Sequence, residues 1–164
     1  MKRQTYKRED GYTPADLFAY AKGHLSAAKL LFDSGFPFFD SAGHLGHLAI
    51  ELLLKALLLH RVGSFPPSLS LCEIGSLVER AYPGFRFTAA GQQRLQLLTR
   101  FNWMRYPTPK HPIDIGTKDR DLILELAYAI AESFPEELSQ WLADTDRGCI
   151  VKGGRVLMVR ERDG

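Results

Sequence analysis

Cysteine is nearly absent: Cys72 and Cys149 are the only two in the 164-residue chain, too few for a disulfide framework and without the paired spacing of a zinc site. No glycine-rich phosphate loop, GxSxG elbow or nucleophilic Cys/His signature occurs, which argues against classical nucleotide hydrolysis and acyl transfer. An excess of one charge is also lacking. The net charge of +2, from 21 basic and 19 acidic residues, does not by itself mark a nucleic-acid binder. The opening MKRQTYKREDGY has no apolar leader, and the Leu-rich stretch near residue 50 is interrupted by His, Glu and Lys. Membrane spans need roughly 20 apolar residues in a row, so the sequence predicts a cytoplasmic chain with no membrane partner. Internal repeats and low-complexity tracts are missing too.

What is present is helical periodicity. Phe38, Ala42, Leu45, Ala49, Leu52, Ala56 and Leu59 follow at steps of four and three, which places them on one face of a helix from Phe38 to Arg61. Alanines recur every seven residues at 42, 49 and 56, a spacing that lets a neighbouring helix approach closely. Leu48, Leu53, Leu57 and Leu58 widen this face, and Asp40, His44, His47, Glu51 and Lys55 fall on the opposite side. The expectation is one apolar face and one face for water or chemistry.

Four more helices follow from the same reasoning. Thr13-Pro14 is a helix start with Asp16 in the first turn, and the helix runs to about Asp33, before Ser34-Gly35. Its short connection to the long helix predicts an antiparallel hairpin. Past the Gly- and Pro-bearing stretch VGSFPPSLSL, a short helix covers Glu73 to Ala81, another runs from a Thr88 cap to about Trp103, and a last one from about Thr117 to Ser133. The last carries a stripe of Leu122, Leu126, Ala129, Ile130 and Ser133, and Phe134-Pro135 kinks it into EELSQWL. In the tail, 149–152 and 155–160 flank Gly153-Gly154 and predict a β-hairpin. Such a ribbon is marginal alone, so it packs on the helices or pairs with another chain. The fold expected is therefore all-α: an antiparallel up-and-down bundle of about five helices over 1–146, with a hairpin appendage at 147–164.

Individual polar residues admit two readings each. His44 and His47, with Asp40 and Glu51 a turn away, have a spacing that suits a metal, yet they lack the HExxH arrangement; a polar stripe explains them without a metal or cofactor. Glu51 and Lys55 at i and i+4 make an ordinary surface pair worth about 0.3–0.5 kcal/mol. Phe101, Trp103 and Tyr106 either anchor a helix end in the core or stack on bases. Basic residues gather at Lys2, Arg3, Lys7 and Arg8, again at Arg94, Arg100, Arg105 and Lys110, and from Arg147 to Arg162. They form either a phosphate-attracting surface or scattered solvated charge.

Two strings carry a resemblance: Ala49-Ile50-Glu51-Leu52-Leu53-Leu54-Lys55-Ala56-Leu57-Leu58, and Arg105-Tyr106-Pro107 ahead of the last long helix, with a short helix between them. In this order they resemble the HEPN superfamily of helical domains (higher eukaryotes and prokaryotes nucleotide-binding) over roughly 14–140. Where many relatives begin the short helix with His-Asp/Asn-Leu, this chain reads Cys72-Glu73-Ile74. The resemblance implies a homodimer that binds nucleotide, RNA or a nucleotidyltransferase-like partner protein through a groove near Glu51, Arg105 and His111. Binding candidates beside them are His44, His47, Lys55, Asn102, Tyr106 and Lys110. It also implies an alternative. Relatives with ribonuclease activity in toxin–antitoxin or defence systems carry an Arg followed a few residues later by His, and five residues separate Arg105 from His111. An Arg there stabilises charge developing on a phosphate, a His moves the proton, and Glu51 orients one of them, without metal. Active relatives have a polar residue after the Arg, whereas here Tyr106 follows, with prolines at 107, 109 and 112. That Arg-Tyr-Pro form resembles the non-catalytic binding and dimerisation members.

Overall fold

Helix signals in the chain are local and strong, and most elements begin where a cap demands it. The structure is a computed structural model that describes residues 6–7, 10–67, 69–106, 109–110, 112–133 and 158–160. In it Thr13 caps α1 (Pro14–Ser34) through a capping box: its hydroxyl accepts from Asp16 N at 3.1 Å, while Asp16 accepts from Thr13 N at 3.3 Å. A tight connection then reverses the chain into α2 (Phe39–Val62). Gly63, in the left-handed conformation at φ 82°, ends α2 by donating to Leu59 O.

Five α-helices are present among the described residues, and the protein is all-α. After α2 come α3 (Leu71–Ala81), α4 (Ala89–Phe101) with a 3-10 turn at Asn102–Arg105, and α5 (Thr117–Ser133). Two short ribbons decorate the helices. β1 (Tyr6–Lys7) pairs antiparallel with β2 (Ser64–Phe65), and β3 (Phe85–Phe87) pairs antiparallel with β4 (Met158–Arg160). The hairpin expected in the tail is not confirmed. Its second strand runs against the α3–α4 connection, while 149–152 lies outside the described residues, as do Phe134-Pro135 and EELSQWL.

α2 occupies the centre, packed on α1, α3, α4 and α5. Ala42, Ala49 and Ala56 are fully buried, and Ala21 and Ala28 of α1 are 1% exposed, within a hairpin where α1 packs extensively on α2. From Leu53 to Leu59 every residue of α2 is buried. The helix is long and apolar enough to cross a membrane, but most of that surface is covered within the bundle. The expectation of one apolar and one open face is thereby corrected: the C-terminal half of α2 is enclosed all round, whereas Phe38 is 45% exposed and Leu45 and Leu52 only half-buried.

α5 and the residues just before it meet α2 at two glycines not singled out by periodicity. Ile115 rests on Gly43 and Ile123 on Gly46, so close that an added Cβ at either would collide. The core-facing side of α5 is Ile123, Leu126, Ala127 and Ile130, rotated from the predicted stripe, and Leu122 is only half-buried. An ion pair from Arg120 Nε to Asp33 Oδ1, 2.8 Å, ties α5 to the end of α1. Gly46→Ala should destabilise the fold by about 1–3 kcal/mol, because Ile123 must leave its rotamer or α5 must shift. Gly23→Ala, at an open position inside α1, should instead stabilise by about 0.5–1 kcal/mol. Urea midpoints of the two variants, measured beside the parent chain, check both signs.

Candidate functional site

The polar row of α2 differs in depth from residue to residue. Asp40 is exposed, His44 half-buried, His47 only 3% exposed, Glu51 half-buried and Lys55 6% exposed. The Glu51–Lys55 pair is thus not at the surface. Lys55 Nζ donates to Glu51 Oε1 and to the Pro67 carbonyl, the latter at 3.3 Å, and lies 5.5 Å from the centre of the Phe65 ring. Leaving an ammonium buried without partners costs several kcal/mol, and these three contacts supply what water would. Phe65 is itself 5% exposed and meets Tyr12 edge-on at 6.2 Å, so the chain after α2 and the segment before α1 close over Lys55 together.

His47 Nδ1 stands 3.8 Å from Glu51 Oε2, beyond hydrogen-bond distance, and has no hydrogen-bond partner among the described residues. Burial pulls its pKa from 6.5 down to about 4; the nearby Glu51 carboxylate opposes this, and His44 and Lys55 add to it. The imidazole is therefore neutral at pH 7. Among the described residues no group of three His, Cys, Asp or Glu side chains converges as a metal site.

The 3-10 turn supplies the second wall, since it packs against α2. Phe101, the last residue of α4, is fully buried and anchors the turn, whereas Trp103 is 44% and Tyr106 79% exposed. Anchoring and display are thus divided among the three aromatics. Tyr106 N donates to Trp103 O at 3.1 Å and closes the turn, whose last residue is Arg105. Asn102, Arg100 and Lys110 are exposed. Arg94 is set apart from that cationic group by its ion pair with Glu125 of α5. The turn Asn102–Arg105 packs on α2, the helix that also carries the polar row; His111 lies outside the described residues. Sequence reasoning missed Phe65 and Pro67, which cover Lys55 and carry no periodic signal.

Two grooves lie elsewhere. One of about 430 Å³ is lined by Ala90, Gln93, Arg94, Leu97 and Leu122, and another of about 380 Å³ by residues of α2, α3 and the Ser64–Pro66 stretch. Neither includes the α2 polar row or the 3-10 turn.

An all-α bundle whose central helix carries Glu four residues before Lys, with an Arg-bearing turn ahead of the last long helix, agrees with the fold the resemblance implied. Residues 15–138 match the HEPN domain, and the chain belongs to the HEPN family. No curated protein and no solved structure matches it.

The buried imidazole gives a pH signature. Its folded pKa of about 4 lies below the ordinary 6.5, so the unfolded chain binds more protons between those values. Stability is full above pH 6.5 and falls as the pH drops through this window. Between pH 7.5 and 5 the parent chain should lose on the order of 2 kcal/mol more than His47→Gln. Chemical denaturation at both pH values checks this, and equal losses would mean that the imidazole takes up its proton without unfolding.

Proposed function

We propose that this HEPN domain is a binding module: a homodimer that engages nucleotide, RNA or a nucleotidyltransferase-like partner chain through the groove where the 3-10 turn meets α2. The observation that carries the reading is the packing of the Arg105-bearing turn against the helix of His44, His47, Glu51 and Lys55 within a chain of this family. Lys55 acts there as a positioning residue, holding one oxygen of Glu51 while the other faces His47. Arg105, Lys110 and His111 supply the anion-attracting groups, and Asn102 and Tyr106 border them. Arg-Tyr-Pro at 105–107 favours binding over turnover, since active relatives place a polar residue after the Arg.

A second reading is retained on one specific ground, the five-residue interval between Arg105 and His111. It makes the protein a metal-independent endoribonuclease in which Arg105 steadies the phosphate, His111 moves the proton of the 2′-hydroxyl or the leaving oxygen, and Glu51 orients them.

Purified protein incubated with RNA in excess EDTA separates the two. The binding reading expects intact RNA, and a light-scattering mass twice the 18.5 kDa of the chain. Cleavage by the parent protein that Arg105→Ala and His111→Ala both lose would establish the enzyme instead, and a monomeric mass would remove the dimer.

A further inference from the structure

We infer that Trp103 and Tyr106 form a stacking platform for unpaired nucleobases, which makes the ligand of this face single-stranded nucleic acid; the inference rests on the RNA-binding reading of the site. Large aromatic rings are costly to leave in water, and this chain had a buried alternative at the same place. Phe101 takes it, with no exposed surface, while Trp103 and Tyr106 remain 44% and 79% exposed. Tyr106 caps the 3-10 turn, and its N donates to Trp103 O at 3.1 Å, which holds the backbones at 103 and 106 together. Two neighbouring aromatic faces suit successive bases, each of which presents a π-face whatever its identity.

The charge around them selects the kind of occupant. Between Arg94 and Ile113 the sequence contains no Asp or Glu, while Arg100, Arg105 and Lys110 follow one another at five-residue intervals. Arg100 and Lys110 are exposed on either side of the aromatic turn. Aromatics interleaved with cations in a stretch of sequence without carboxylates complement a phosphate backbone with its bases turned inward. A purely apolar protein partner would leave these cations to be desolvated, and a duplex keeps its bases stacked on one another.

The test uses the full chain and fluorescein-labelled 2′-O-methyl oligouridine about 12 nucleotides long, which lacks the 2′-hydroxyl that an endoribonuclease would need, beside a blunt duplex of equal length. Anisotropy should show tighter binding to the single strand. Trp103→Leu and Tyr106→Leu should each weaken it by about tenfold, while Trp103→Phe and Tyr106→Phe, which keep a ring, stay within about threefold. In Trp141→Phe the sole remaining tryptophan is Trp103, and its fluorescence should be quenched as the oligonucleotide binds. Parent-like affinity in both leucine variants, or equal losses for strand and duplex, overturns the platform and leaves the RNA-binding reading standing. Absence of binding by the parent chain to either form overturns both. Leucine variants that keep RNA affinity but lose the dimer mass would assign the two rings to a protein interface instead.

Discussion

The structure depends on enclosing α2. A helix packed on four others cannot present large side chains in every direction, because interaxial distance is set by what lies between. Ala42, Ala49 and Ala56 are fully buried small residues, and Gly43 and Gly46 admit Ile115 and Ile123. With small residues spent on close approach, the leucines from 52 to 59 fill the spaces towards the remaining neighbours. The same enclosure forces any polar group on α2 to find its partners inside the protein.

Lys55 and His47 meet that demand in opposite ways. Lys55 keeps its charge and collects a carboxylate, a carbonyl and an aromatic face, which recruits the chain after α2 as a cover and, through Phe65 and Tyr12, the segment before α1. His47 surrenders its charge, because Glu51 is already engaged by Lys55 and a 3.8 Å separation does not repay desolvation. The polar row is therefore open to water at Asp40 and buried at His47 and Lys55, with half-buried Glu51 between the last two. A carboxylate fixed in this way is suited to positioning a neighbour more than to meeting solvent.

Much of this frame is legible in the sequence. Thr13-Pro14-Asp16 marks the start of α1, and the period of α2 marks its extent within a residue at each end. The start of α3 is earlier than Glu73 for a reason that was also written in the chain: Ser70 and Glu73 form a capping box, with Ser70 N donating to Glu73 at 2.8 Å. In α5, 122-126-129-130-133 and 123-126-127-130 both satisfy helical spacing, and only the glycines opposite choose between them. Depth is the least legible quantity. Periodicity puts His47 and Lys55 on a polar face, but whether that face is covered depends on a loop and a turn distant in sequence.

The 3-10 turn shows how backbone winding sorts one short string into core and surface. Leu98 and Phe101 form the buried row at the end of α4. With 3.6 residues per turn this row would continue to position 105, four beyond Phe101 and seven beyond Leu98. Tightening to three residues per turn carries it to 104 instead, and Met104 is the half-buried residue there. The turn as a whole packs on α2. Trp103 and Tyr106 stand on and just after that turn 44% and 79% exposed, so one short string carries both the buried end of α4 and two displayed rings.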